Sequence, residues 1–572
     1  MLKIKRMKSE CERQFLKNNR FYFFMTIIAL FLCAILNICM AFMLKFFIEA
    51  VEYKSMQILN RGFIIVIFYI IIYALFGISQ TRFKNTYMRK ALSQFKDYIF
   101  EKMLNKTISD YGNGMSSKFI SAFSNDLNSI ESNYLRGTLD LILTIMLYIG
   151  AIIAALYMKW TLALPIIIVS MICISLSLIY GRKLVSKEQE TSKENMSFVA
   201  QVKDLLNGFI VIKSFKAEKE VLEIFRKQNT NLEVSKQGRR VTSDTVSIYG
   251  DISSIVVNSM IFGLGFLYAF NQWMSIGMVI AFIQLGNYIL APVRNLAPLI
   301  SNRNAAIKLI NMLSEAIEEK DEKPEGIRLS NFQKDIVFKD VSFSFESEKL
   351  ILDHLNLTFE KGKSYAIVGG NGSGKSTILK MLLGFYNKYK GDILIDGIQI
   401  RNVDLSSLYD NLSIIQQDVF LFDSTIKNNI TMFASFDEQK INDAIEQAGL
   451  AALIAEKGDD YSCGEEGKNL SGGEKQRVSI ARCLVRGTPI LLMDEATSAL
   501  DNNTSSLVEN EILSIENLTR IIVTHRFNET TMKKFDKILV MNKGKIIEEG
   551  TFDTLINDKG YFYSLYSVAE AE

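Results

Sequence analysis

Apolar residues are spread very unevenly along this chain of 572 residues. Six apolar runs crowd its first half: Phe21–Leu44, Gly62–Gln80, Leu135–Met158, Thr161–Tyr180, Val246–Phe270 and Ser275–Ile300. A helix needs about twenty such residues to cross a hydrocarbon core. One run alone could be a buried helix of a soluble protein, but six in series predict an all-helical membrane domain. The turns "MKW" after run three and "NQWMS" after run five are very short. Segments 81–134 and 181–245 are long and charged, contain no proline, and keep apolar residues at helical spacing, as in "FVAQVKDLLNGFIVIKSF". Helices continuing there would project some 25 Å beyond the bilayer over each seventeen-residue leg. The acidic stretch Ser314–Gly326 reads as a linker, with Pro324 ending any helix. Charge and glycine punctuate the remainder. The expected organisation is a membrane domain over 1–313, a linker over 314–330 and a second domain over 331–572.

Charge orients the membrane part. Segments 81–134 and 181–245 carry twenty-one Lys and Arg, against four in 45–61, 158–161 and 271–275. The positive-inside rule puts both termini and both long segments in the cytoplasm. Trp160 and Trp273, the only tryptophans, fall at the outer ends of runs. A net charge of +3 gives no field that would select nucleic acid. The six cysteines show no metal-ligand spacing, and three lie inside apolar runs. The first run is longer than a signal segment and lacks a convincing cleavage site. Abundant Lys, Asn and Ile with five prolines suggest an AT-rich bacterial genome, hence a bacterial cytoplasmic membrane.

The second domain carries the chemistry. "YAIVGGNGSGKSTILKMLLG" is an apolar strand, then a G-x-x-x-x-G-K-[ST] loop, then a helix, the context a phosphate-binding loop requires. Gly369, Gly370, Asn371, Gly372, Ser373 and Gly374 would turn successive N–H groups toward phosphate oxygens at a helix N-terminus, with Thr377 closing the motif. Lys375 would reach the β- and γ-phosphates, and the Ser376 hydroxyl would ligate Mg²⁺. In "ILLMDEATSALD" a buried strand delivers Asp494 to the metal, and Glu495 follows, placed to orient or deprotonate a water. "RIIVTHR" ends a strand at His525, a functional candidate, whereas His354 reads as a surface residue. "NLSGGEKQRVSIARCLV" gives a second phosphate-ready helix start at Ser471. Two anion-binding starts with one metal-holding aspartate point to a head-to-tail dimer in which each chain completes its partner's site. A GTPase is disfavoured because no N-K-x-D motif is present.

With these motifs in this order, the chain resembles an ABC transporter half-molecule of the exporter class over nearly its whole length. The resemblance implies a six-helix polytopic membrane domain followed by an α/β P-loop NTPase domain of the ATP-binding cassette type. It implies ATP and Mg²⁺ as cofactors and an ATPase coupled to transmembrane movement. Gln417 stands where the family has its Q-loop glutamine, which also meets the metal, and Glu465 stands at the acidic position before the signature. The signature is Leu470, Ser471, Gly472, Gly473 and Glu474; the D-loop is Ser498, Ala499, Leu500 and Asp501; His525 is the switch histidine. Phe345 occupies the adenine-stacking position, where exporters usually carry Tyr, keeping the π-face without the hydroxyl.

An intact Glu495 and "LSGGE" favour a homodimer, with a heterodimeric partner as the alternative. Export of an amphipathic drug, lipid or peptide by alternating access is the leading reading. An importer of the siderophore or vitamin type, or an ATP-gated channel or sensor, is the alternative. Asn37, Asp251, Asn258, Gln284 and Asn287 lie in or near the runs and are candidates to line a substrate cavity. Interhelical hydrogen bonding is the competing reading for each. A leader-peptide protease is not expected, because Cys11 has no histidine near it in the segment before the first run.

Overall fold

The structure, a computed structural model, describes residues 10–108, 119–317, 326–345, 350–495 and 502–571. The chain divides near residue 318 into two compact units. In the first, among the described residues, five helices are long and apolar enough to cross a membrane. They are α1 (Arg20–Glu52), α2 (Met56–Leu104), α3 (Gly137–Asn207), α4 (Glu218–Phe270) and α5 (Ile276–Ile317).

Five helices hold six apolar runs because α3 contains two. A straight rod of its 71 residues would be roughly 105 Å long, over three times the hydrocarbon thickness. It is broken at Lys159, whose φ of −161° and ψ of 93° are extended rather than helical. The "MKW" turn is therefore a reversal made at one residue. Lys159 Nζ donates to the Trp273 carbonyl at 3.3 Å, and Ser275 Oγ donates to Glu49 Oε1 at 2.5 Å. These bonds gather the short turns at one end of the bundle. Pro292 and Pro298 both lie inside α5. Between them the buried Ser177 hydroxyl donates to the Val293 carbonyl at 2.6 Å, a side-chain bond that ties α3 to α5 inside the bundle.

Beyond the apolar runs the helices continue, as their spacing predicts. α2 extends 24 residues past Gln80, about 36 Å of rise. A separate core forms there from Cys11, Phe15, Phe95, Ile99, Leu127, Ile130, Ile310 and Ile317. It corrects the expected linker start: α5 runs on to Ile317, because Leu313 and Ile317 fill this core. The remainder of that linker up to residue 325, including Pro324, lies outside the described residues. Ile327 already bridges to Val403 in the second unit.

The second unit has two sheets. β1 (Asp335–Ser344), β2 (Leu350–Glu360), β4 (Lys390–Ile395) and β5 (Ile398–Gln399) form an antiparallel sheet ordered β2-β1-β4-β5. β3 (Ser364–Gly369), β6 (Leu412–Ile415), β7 (Ile490–Asp494), β8 (Thr519–Val523), β9 (Lys537–Asn542) and β10 (Lys545–Gly550) form the other, ordered β10-β9-β3-β8-β7-β6. Only its β9–β10 edge is antiparallel. β3 and β8 are buried at every position, as parallel strands covered on both faces must be.

Phe95 is fully buried, with its ring centroid 4.5 Å from that of Phe15. Phe95→Ala should destabilise the helical extensions by about 3–5 kcal/mol, through lost transfer energy and the cavity left behind. Thermal unfolding of the detergent-purified protein measures this; an unchanged midpoint would show that the extension core does not limit stability.

Candidate functional site

Four adjacent strands, β3, β8, β7 and β6, run parallel, so their C-terminal ends lie side by side. Ile367 pairs with Val523, and Val523 with Asp494. Open parallel sheets bind ligands at that edge. β3 delivers the glycine-rich loop, β8 delivers His525, β7 delivers Asp494 and Glu495, and β6 leads to Gln417.

After Gly369 the chain turns through Gly370, Asn371, Gly372 and Ser373 and enters helix α6 (Lys375–Leu382) at Gly374. Gly374 has φ +105°, and a Cβ there would sit 2.9 Å from Leu352 and 3.0 Å from the Ile351 carbonyl, so only glycine fits. Lys375 is buried and donates to the carbonyls of Gly369 at 2.9 Å and Gly370 at 3.1 Å. Burial pushes its pKa down, opposed by the charges of Glu495 and Asp494. The Ser373 hydroxyl is buried without a hydrogen-bond partner. A charged amine resting on carbonyls beside an unpaired hydroxyl is a lining suited to phosphate oxygens. Thr377 closes the first turn, its N–H on the Gly374 carbonyl.

The Ser376 hydroxyl donates to Asp494 Oδ1 at 2.8 Å. Burial raises the Asp494 pKa first, and the Ser376 bond works against that rise. These are hard oxygen donors of the kind Mg²⁺ takes alongside substrate phosphates. Among the described residues no cluster of three His, Cys, Asp or Glu could hold a metal alone.

Glu495 sits at the centre. Its backbone has φ +49°, a sparsely populated conformation for a residue with a side chain, and its N–H donates to the Val523 carbonyl at 3.0 Å. Gln417 Nε2 donates to its Oε2 at 3.0 Å, and His525 Nε2 lies 3.0 Å from its Oε1. Two strand-end side chains thus orient one carboxylate, a geometry able to accept a proton from water.

Ser471 caps helix α7 (Gly472–Arg486). Its Oγ accepts from the Glu474 N–H while Glu474 Oε2 accepts from the Ser471 N–H, a reciprocal capping box. Leu470 is anchored in the core; Ser471 and Gly472 are exposed, and Gly473 is half-buried. Ser498, Ala499, Leu500 and Asp501 lie outside the described residues. Phe345 is half-exposed and meets Phe343 and Tyr386 edge-on, at 5.2 and 5.5 Å. Tyr386, which the sequence reading did not single out, backs that ring. His354 is exposed, against Asp340.

The five polar candidates of the membrane runs are spread over α1, α4 and α5. Asn37 accepts from the Tyr288 hydroxyl at 3.4 Å, and Gln284 lies one turn before Tyr288 on α5. Asn258 donates to Ser254 and leaves its own oxygen buried and unpaired. Asn287 is exposed. Asp251 pairs with Arg294 at 2.9 Å. Arg294 was missed by the sequence reading, although a cation inside an apolar run was itself the signal.

Residues 352–498 match the ABC transporter family model, and residues 21–293 match that of the ABC transporter transmembrane region. The ABC transporter ATP-binding protein YwjA of Bacillus subtilis is 31% identical, over 84% of this chain and 83% of that protein. The ATP-dependent lipid A-core flippase of Neisseria gonorrhoeae is 31% identical, over 89% of this chain and 83% of its own length. A bacterial Atm1-family ABC exporter solved with ATP bound superposes with a TM-score of 0.82 at 23% identity, over 97% of this chain and all of that one. With an ATP-binding cassette fused to a multi-pass helical domain in the fold of that solved exporter, the chain belongs to the ABC transporter family, with an ATPase coupled to transport across a membrane.

Proposed function

We propose that two identical chains form the working exporter and that each cassette hydrolyses ATP with Glu495 as the general base. The observation that carries this reading is the pair of side chains, Gln417 and His525, held on the Glu495 carboxylate. Bound Mg²⁺ would neutralise phosphate charge, with Ser376, Asp494 and Gln417 as its protein ligands. Lys375 exchanges its loop carbonyls for phosphate oxygens, and the loop N–H groups orient the nucleotide. Glu495 takes the proton of the attacking water, and His525 fixes the direction in which that carboxylate points. The signature residues Leu470–Glu474 of one chain face the nucleotide held by the other, with the D-loop beside them.

The cargo in this reading is an amphipath moved out of the cytoplasm, with both termini and the cassette on the cytoplasmic face of a bacterial plasma membrane. Among drug, lipid and peptide, the likeness to lipid A-core flippases favours a lipid. Reconstitution tests it: steady ATPase stimulated by an amphipathic lipid, with ATP-dependent movement of a headgroup-labelled lipid between leaflets. ATP binding without turnover would instead indicate a gated channel or sensor. A purified assembly that needs a second, different chain for activity would replace the homodimer.

Glu495→Gln should lower turnover by about 10²–10⁴-fold, the usual range for a positioned base, while ATP binding persists. Wild-type hydrolysis in that variant removes Glu495 from the role. Lys375→Ala should weaken nucleotide binding itself, seen as a raised dissociation constant for ATP. Phe345→Ala should reduce ATP affinity toward the low end of the roughly 1–3 kcal/mol of base–aromatic stacking. Unchanged affinity would assign the adenine to another residue.

A further inference from the structure

Asp251 on α4 and Arg294 on α5 form an ion pair of 2.9 Å whose side chains remain 63% and 50% exposed. Their depth is set by helix rise. Asp251 is nineteen residues from Phe270, and Arg294 eighteen from Ile276, so each lies about 27–28 Å from the short-turn end. That is the far boundary of a hydrocarbon core about 30 Å thick, at headgroup level. Tyr180 and Tyr249 stack at the same level, with centroids 4.5 Å apart, as interfacial aromatics do.

The pair is built into its surroundings. A Cβ on Gly250 would come within 2.9 Å of the Arg294 Cγ, so the missing side chain lets the arginine stem lie against α4. Asp251 also sits in an apolar stripe. Ile248, Ile252 and Ile255, at helical spacing around it, are 57%, 51% and 65% exposed. A carboxylate and a guanidinium side by side, bordered by open isoleucines, match a ligand with the same three parts: an anion, a cation and a hydrocarbon.

We propose that the Asp251–Arg294 pair is a headgroup site for a zwitterionic amphipath. The ligand's phosphate meets Arg294, its ammonium meets Asp251, and its chain lies along Ile248, Ile252 and Ile255. A zwitterion exchanges one ion pair for two without bringing net charge into the site, whereas an anionic headgroup must displace Asp251 against its repulsion. The proposal rests on the export reading only in taking this amphipath as cargo.

The test is equilibrium binding to the full chain purified in alkyl maltoside, using lysophosphatidylethanolamine and lysophosphatidylglycerol of one chain length. Wild type should prefer the ethanolamine lipid by about tenfold. Asp251→Asn should reverse the preference toward the glycerol lipid, because Arg294 is then unopposed. Arg294→Gln should weaken both phosphate lipids, and the exchanged pair Asp251→Arg with Arg294→Asp should restore the ethanolamine preference. A merely structural pair would not invert selectivity in this way. Equal wild-type affinities, or an Asp251→Asn variant that keeps the ethanolamine preference, overturn the proposal. Headgroup-selective binding without any change in ATPase rate would support the site and remove the cargo assignment alone.

Discussion

Every backbone N–H and C=O that enters hydrocarbon must find its partner within the protein, since each unsatisfied group costs several kcal/mol there. Helices satisfy this requirement locally, and the membrane part of this chain is accordingly all helix. Buried side chains obey the same rule: the Ser177 hydroxyl of α3 donates to the Val293 carbonyl of α5. Because a helix satisfies its own backbone, it need not stop where the hydrocarbon stops. α2 carries on for some 36 Å and packs its own core. A tilt at one end of such a rod is necessarily felt at the other.

The nucleotide-binding unit uses a different economy. Its parallel strands bring four distant stretches of sequence to one edge, where they meet on a few atoms. Glu495 is held at three points, by its own N–H on Val523, by Gln417 and by His525. Its positive φ stores strain that those contacts must maintain. Lys375 on its loop carbonyls and Ser376 on Asp494 are also satisfied by the protein itself. A ligand that enters there must exchange for these partners.

Contiguous patterns were the legible part of this molecule. A glycine loop between a strand and a helix, an acidic pair at a strand end, and runs of about twenty apolar residues each declare their geometry locally, because backbone periodicity determines where their side chains go. The turn at Lys159 was readable for the same reason. The linker start was not. Ser314 belongs to an acidic stretch, but Ile317 is drawn into a core formed with residues as distant as Cys11 and Phe95. Arg294 and Asp251, or Tyr288 and Asn37, meet only through helix packing, and no spacing in the chain announces which polar residue will face which. Phe345 was found by its position in a motif, whereas Tyr386 behind it is a tertiary neighbour.

The reversal at Lys159 also determines how the protein can be approached from that end of the bundle. The neighbouring turns around Ser55 and from Asn271 to Ser275 are nearly as short, and they are tied down by Lys159 on Trp273 and by Ser275 on Glu49. Almost no free polypeptide is left there for a protease to cleave or an antibody to grip. What that end presents instead is side chains, with Tyr53, Tyr157, Trp160, Phe270 and Trp273 all exposed there.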